Sequence, residues 1–252
     1  MAKTTFDFDS EAAPEAELTW MINTLASLRR RRFPPVKPVP VPEIPPPTLI
    51  DEPWQSLAHW STANNGDAGQ TLVPGGVELW INNARSIAHG TGSRLFYLNP
   101  PSKQWVTLPD GVHEIRYPLS IPELFTVDQG ADKFASMGIQ CKDITDSNAL
   151  WATNVQTLDG KLVAWLWHRE AGVFHADGFP AYAIGAPNDC LIRLNNVADN
   201  TGWLEFSING SAPIRVSNAR TRGANVDNGW GPILYSNALD AARVTLGRLT
   251  VS

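Results

Sequence analysis

Five residues of this 252-residue chain, His168, Arg169, His175, Tyr182 and Arg193, have the types that an elimination reaction on an acidic sugar requires. Such a reaction needs a base for the proton beside a uronic acid carboxylate, a cation to neutralise that carboxylate, and a donor to the leaving oxygen. His168 and Arg169 are consecutive in "KLVAWLWHRE" (161–170), so in a strand they point to opposite faces. Strict alternation groups Arg169 with Trp165 and Trp167, and His168 with Leu162, Ala164 and Leu166. The ordinary reading of the pair is a satisfied histidine and a surface arginine.

A second constellation suits glycan binding without chemistry. Trp203, Trp230 and Tyr235 offer aromatic faces, and Asn225 and Asn228 offer amides near them. Ten tryptophans against three methionines is unusual, and core packing is the ordinary use of each. Glycosidase chemistry needs two carboxylates across one cleft. Glu78 and Glu205 sit in strand patterns with no compact acid partner. "DNG" (227–229) and "NNVADN" (195–200) carry oxygens of the kind calcium takes, yet both are ordinary turn sequences, and the five histidines lack zinc spacing. No cofactor is expected. There is no Gly-x-Ser-x-Gly, phosphate loop or dinucleotide fingerprint.

Charge and composition narrow the classes further. A net charge of −5 argues against a broad basic nucleic-acid face. No apolar run approaches the roughly 20 residues that cross a bilayer, and the acidic start "MAKTTFDFDSEAAPEAE" does not read as a secretion signal. Cys141 and Cys190 stand alone, which predicts reduced, buried thiols rather than a bridge.

The elements that must position these groups fall into three parts. Residues 14–32, "PEAELTWMINTLASLRRRR", read as a helix: Pro14 suits the first turn, acids lead and arginines close. Leu18, Met21, Ile22, Leu25 and Leu28 form one apolar stripe, which with Arg29 and Arg30 makes a docking surface for a partner. Residues 34–53 hold nine prolines with Trp54 just beyond, so an extended polyproline linker is expected. From residue 54 period-two strands dominate: "VELWI" (77–81), "RLFYL" (94–98), "KLVAWLW" (161–167), "CLIRL" (190–194), "WLEFSI" (203–208), "PIRV" (213–216) and "RVTLGRLTV" (243–251). Asn209-Gly210, Asp110-Gly111, Asp159-Gly160 and Asn228-Gly229 mark turns, and Gly247 marks a bulge in the last strand. Many short strands with little helix predict a mainly β antiparallel sandwich.

The stretches "NTGWLEFSINGSAPIRVSNARTRG", "GWGPILYSNA" and "ARVTLGRLTVS" resemble the C-terminal half of concanavalin A-like jelly-roll sandwiches, the branch of laminin-G-type modules and polysaccharide lyases. Gly202, Leu204, Asn209 and Gly210 carry the hairpin of that pattern, and Arg220 or Arg222 its arginine-containing strand. The resemblance implies the fold and, through "KLVAWLWHRE", an inner strand where such lyases hold basic residues.

The plan of anchor (1–33), linker (34–53) and head (54–252) is also similar to that of bacteriophage virion components. The leading expectation is therefore a structural virion protein, a capsid or tail decoration or fibre-like attachment protein. It would be made in the host cytoplasm, dock on other virion proteins through residues 1–53, and display its head as a homo-oligomer. The alternative is a carbohydrate-active head, a lectin-like module or a polysaccharide lyase, with a cell-surface glycan as partner. Neither reading calls for nucleic acid or membrane.

Overall fold

The protein is described by a computed structural model over residues 48–84, 90–98, 107–130, 133–142, 149–174, 180–223 and 229–252. The expected helix at 14–32, its docking stripe and the linker up to residue 47 lie outside the described residues.

In chain order the strands begin with β1 (Ile50–Glu52), β2 (Trp60–Asn65), β3 (Asp67–Val73), β4 (Gly76–Asn83), β5 (Thr91–Tyr97), β6 (Gly111–Ser120), β7 (Ala135–Lys142) and β8 (Ala149–Leu158). They continue with β9 (Lys161–His168), β10 (Gly172–Phe174), β11 (Pro187–Asn196), β12 (Trp203–Ile208), β13 (Ile214–Ser217), β14 (Gly229–Ser236), β15 (Ala242–Leu246) and β16 (Leu249–Val251). Two sheets form. The first runs β13-β12-β11-β6-β15-β4-β3, with β16 also on β6 and β1 on β16; the second runs β10-β9-β8-β7-β14-β5-β2. The pairings are antiparallel, and the result is the mainly β sandwich that the strand periodicity predicts.

Alternation builds the interior. In β12 Leu204, Phe206 and Ile208 are buried while Trp203, Glu205 and Ser207 are half-exposed. From the first sheet Leu79, Ile115, Tyr117, Leu119, Ile192 and Phe206 enter the core, and from the second Leu95, Met137, Ile139, Trp151, Leu162 and Leu166. Asp159-Gly160 and Asn209-Gly210 take positive φ and turn the β8–β9 and β12–β13 hairpins. Gly247 separates β15 from β16, because a Cβ there would lie 2.5 Å from Pro118 Cγ on β6.

The sandwich starts inside the segment read as linker. Ile50–Glu52 pairs with Leu249–Val251. The buried Glu52 carboxylate accepts the Trp54 backbone N–H at 2.7 Å through Oε1 and the Trp60 indole N–H at 2.9 Å through Oε2. Trp54 in turn donates its indole N–H to the Gly247 carbonyl at 2.6 Å and stacks on Trp60 at 5.0 Å. Proline density excludes helix, but it does not prevent a three-residue edge strand whose acid finds buried donors.

Both cysteines are buried, with no disulfide between them. Burial pushes the Cys190 thiol well above its ordinary pKa, and the buried Tyr182 and Tyr117 hydroxyls rise for the same reason.

Candidate functional site

The outer face of the second sheet is assembled from five strands. β5 sends Leu95 inward and Gly92, Arg94 and Phe96 outward; β14 sends Trp230 and Leu234 inward and Ile233 and Tyr235 outward. β7 sends Met137, Ile139 and Cys141 inward and Ser136 and Gln140 outward. β8 and β9 complete the face with Ala152, Asn154 and Gln156, then Val163, Trp165 and Trp167.

Register aligns these residues across the strands. Asn65 pairs with Gly92, Gly92 with Tyr235, Tyr235 with Ser136, Ser136 with Asn154, and Asn154 with Trp165. At about 4.8 Å per strand this row extends roughly 24 Å. A second row holds Gly231, Gln140, Ala152 and Trp167. Arg94, opposite Ile233, sits between the two rows.

Tyr235 and Arg94 form the polar centre. The Arg94 guanidinium carbon lies 3.9 Å from the centroid of the Tyr235 ring, and Phe134 stacks on that ring at 5.7 Å. Glycine makes this possible: a Cβ at Gly92 would lie 2.6 Å from Tyr235 Cδ2. Burial lowers the Arg94 pKa, and the charge interaction and hydrogen bond with Tyr235 oppose that shift. Among the described residues no carboxylate pairs with Arg94.

Among the described residues Arg94 Nε, Gln140 Nε2 and Asn154 Oδ1, buried on this face, have no hydrogen-bond partner. An unsatisfied buried group costs about 1–3 kcal/mol. Such atoms on three strands of one face, from β5 to β8, call for a functional explanation.

A bulge shapes the middle of the face. Between Ser136 and Gln140 β7 carries two residues more than β8 does between Ala152 and Asn154. The Thr153 hydroxyl fills the gap, accepting the Ile139 N–H at 2.9 Å and donating to the Met137 carbonyl at 2.8 Å. Gly138 stands at φ +116, where a Cβ would meet Thr153 Oγ1 at 2.5 Å and Tyr117 Oη at 2.6 Å. No other residue type fits there without displacement.

The residues singled out from the sequence are dispersed. His168 is fully buried on the inner side of β9, as alternation requires; Nε2 donates to the Arg220 carbonyl at 2.8 Å, and Nδ1 accepts the amides of Glu170 and Ala171 at 3.2 Å each. With both nitrogens occupied by backbone it is a structural residue. Arg169 follows the strand and gives its Nε–H to the Ala149 carbonyl at 3.2 Å. Tyr182 is a core residue, and Arg193 forms an ion pair with Glu114 at 2.9 Å on the outer face of the first sheet. Trp203 is on that same outer face, with the Arg215 guanidinium 5.5 Å from its ring. Trp230 lies between the sheets, 2% exposed, against Trp60 and Tyr97. Only Tyr235 falls on the face described above. His175, Asn225 and Asn228 lie outside the described residues.

The turn at 195–200 spends its oxygens and amides locally. Asp199 accepts from the Thr201 N–H at 2.9 Å, and Asn196 donates to the Leu108 carbonyl at 2.6 Å. Among the described residues no three His, Cys, Asp or Glu side chains converge as metal ligands do.

Arg94, Gln140 and Asn154 escaped the sequence reading. Arg94 had a usable signal, since alternation in "RLFYL" sets it opposite Leu95. Gln140 had one too, since Ser136, Gly138 and Gln140 alternate with Met137, Ile139 and Cys141, although both faces of the strand are buried.

No family model matches the chain, and no curated protein matches it in sequence. Solved structures do match its fold. The cellulose-induced protein Cip1 aligns over 81% of this chain and 96% of its own, at 10% identity and a TM-score of 0.52. An alginate lyase from Klebsiella pneumoniae aligns over 78% and 95%, at 12% identity and a TM-score of 0.51. An alginate lyase from Pseudomonas aeruginosa aligns over 78% and 99%, at 15% identity and a TM-score of 0.49. At these identities the likeness establishes the fold alone, a concanavalin A-like antiparallel β-sandwich. It overturns the expectation of a virion attachment protein: anchor, linker and head describe an order of segments, whereas the head shares its architecture with an alginate lyase and with Cip1.

Proposed function

We propose that the chain is a carbohydrate-active protein that cleaves an acidic polysaccharide by β-elimination on the outer face of the second sheet. The observation that carries this reading is Arg94 stacked on Tyr235, beside Gln140 and Asn154 with their unpartnered buried atoms. In this reading Arg94 neutralises the carboxylate of a uronic acid, which makes the proton on the adjacent ring carbon removable. Tyr235 is the proton-transfer group at that carbon. The electron pair left behind forms the ring double bond as the glycosidic carbon–oxygen bond breaks, and Tyr235 passes a proton to the departing oxygen, so that no net proton is gained or lost. Gln140 and Asn154 orient the sugar through hydroxyls that satisfy their free atoms.

The sandwich shared with the Klebsiella alginate lyase supports the substrate class, although at 12% identity it carries no residue roles. Incubation with a panel of uronate polymers should release chain ends whose unsaturated ring absorbs in the ultraviolet. Arg94→Ala should slow that release about 100-fold or more, the scale of losing one charge-stabilising group. Saturable binding without new absorbance or shortening of the polymer would instead identify a lectin-like face. Neither binding nor cleavage across the panel would end the proposal.

A further inference from the structure

A phenol that both takes and returns a proton must hold its oxygen within hydrogen-bond reach of two atoms of the sugar. A tyrosine side chain turns about two bonds, and a misplacement of about 1 Å costs on the order of 100-fold in rate. Whatever fixes the Tyr235 ring therefore takes part in the reaction.

Three neighbours fix it. β5 is bare beside the ring: a Cβ at Gly92 would lie 2.6 Å from Tyr235 Cδ2, and one at Gly90 would lie 2.9 Å from Cε1 on the opposite edge. The ring leans from β14 across β5 and fills space that two side chains would otherwise take. Arg94 rests on it at 3.9 Å, but the substrate carboxylate claims that guanidinium in the proposed reaction. This leaves Phe134, stacked at 5.7 Å with the ring planes 24° apart, as the lateral support in the reacting complex.

Phe134 is placed for that task by its own strand and by β14. Ser136 pairs with Tyr235, so period two sets Phe134 on the outer side and diagonal to Tyr235. Such diagonal neighbours stand about 7–8 Å apart, a distance that aromatic side chains bridge. The backbone of Phe134 is tied to the two residues that follow Tyr235. Its N–H donates to Asn237 Oδ1 at 3.0 Å, and its carbonyl accepts the Ser236 hydroxyl at 2.7 Å and the Asn237 N–H at 3.3 Å. Ser236 is fully buried, and its Oγ also accepts the Ala238 N–H at 2.9 Å. One stretch of β14 and the turn after it thus fasten both the phenol and the ring that supports it. Phe134 is half-buried on the outer face, and its side chain carries no group that exchanges a proton.

Resting on the proposed function, we infer that Phe134 is a positioning residue for the elimination. It acts through Tyr235, holding the phenol in register with the sugar while Arg94 engages the carboxylate.

Steady-state kinetics of the full chain test this, on the polymer of the uronate panel that it cleaves fastest. Phe134→Leu keeps apolar bulk and removes the stacking face; it should lower kcat about 10-fold or more and leave KM within about twofold. Phe134→Tyr restores the face and should return kcat to within about threefold of the parent. Circular dichroism and melting temperature establish that each variant is folded. A kcat for Phe134→Leu within about twofold of the parent, or a raised KM at unchanged kcat, overturns the inference and leaves the elimination site standing. So does an equal loss of kcat in Phe134→Tyr, or a Phe134→Leu chain that unfolds, which would make Phe134 a structural residue. Absence of cleavage by the parent across the panel removes the proposed function and this inference with it.

Discussion

The two outer faces of the sandwich are built from the same period-two strands and spend their polar groups in opposite ways. On the first sheet charge answers charge: Arg193 and Arg116 both pair with Glu114 at 2.9 Å, Arg215 with Glu205 at 2.6 Å, and Arg243 with Glu78 at 3.0 Å. These groups are exposed to water and satisfied by neighbours. On the second sheet Arg94 rests on a tyrosine ring, and the buried Gln140 Nε2 and Asn154 Oδ1 have no partner among the described residues. A face that satisfies itself gains little from a visitor. One that leaves desolvated polar atoms unpaired has already met the desolvation cost of binding and recovers it when a ligand supplies hydroxyls.

The sharpest way to break this contrast is a pair of arginine substitutions. Arg94→Ala should abolish nearly all activity or binding, whereas Arg193→Ala should leave both within about twofold and change stability by no more than about 1 kcal/mol, as exposed pairs do. Equal effects on both faces would remove the distinction. Next in size is Gly138→Ala, which forces a side chain into a positive-φ position already crowded by Thr153 and Tyr117. It should cost about 2–4 kcal/mol in denaturant unfolding. Thr153→Val keeps the shape and removes the bulge-filling hydroxyl, so it should cost about 1–3 kcal/mol, and Thr153→Ser should recover part.

The smallest effects concern pH. The thiol of Cys190 and the phenols of Tyr117 and Tyr182 have raised pKa values in the fold, so the folded state holds their protons more tightly than the unfolded chain does. Their contribution is complete below the ordinary values of 9.0 and 10.0 and declines as pH rises above them. Melting temperature should therefore fall above about pH 9, and Tyr182→Phe should flatten that fall. Asp110, held low by its hydrogen bond to Arg222, acts in the other direction. Its contribution is present above its ordinary 3.8 and lost as pH falls below it; Asp110→Asn should matter slightly at neutral pH and not at all in strong acid.

Most of the first sheet is legible in the amino-acid order. β4, β11, β12, β13 and the broken final pair β15–β16 all follow alternating segments, because one side of each faces water and the other the core. Of the three strands that hold the middle of the candidate site, β7 alternates through Met137, Ile139 and Cys141, whereas β8 and β14 leave no such trace. They are covered on both sides, so their outward residues are as buried as their inward ones, and β7 shifts register at its bulge. His168 is the satisfied core histidine that its pattern implies, since alternation alone decides which side of β9 it takes. Trp230 could not be assigned that way, and it packs between the sheets.

The amino-acid order by itself determined the sandwich class, the hairpin turns and the inward residues of the alternating strands, because these depend on contacts a few residues apart. Tertiary structure decided the site. Arg94, Gln140, Asn154, Trp165 and Tyr235 lie on five strands spread over some 140 positions. Only the pairing of those strands brings them to one face, and pairing is settled by long-range burial that no local pattern records.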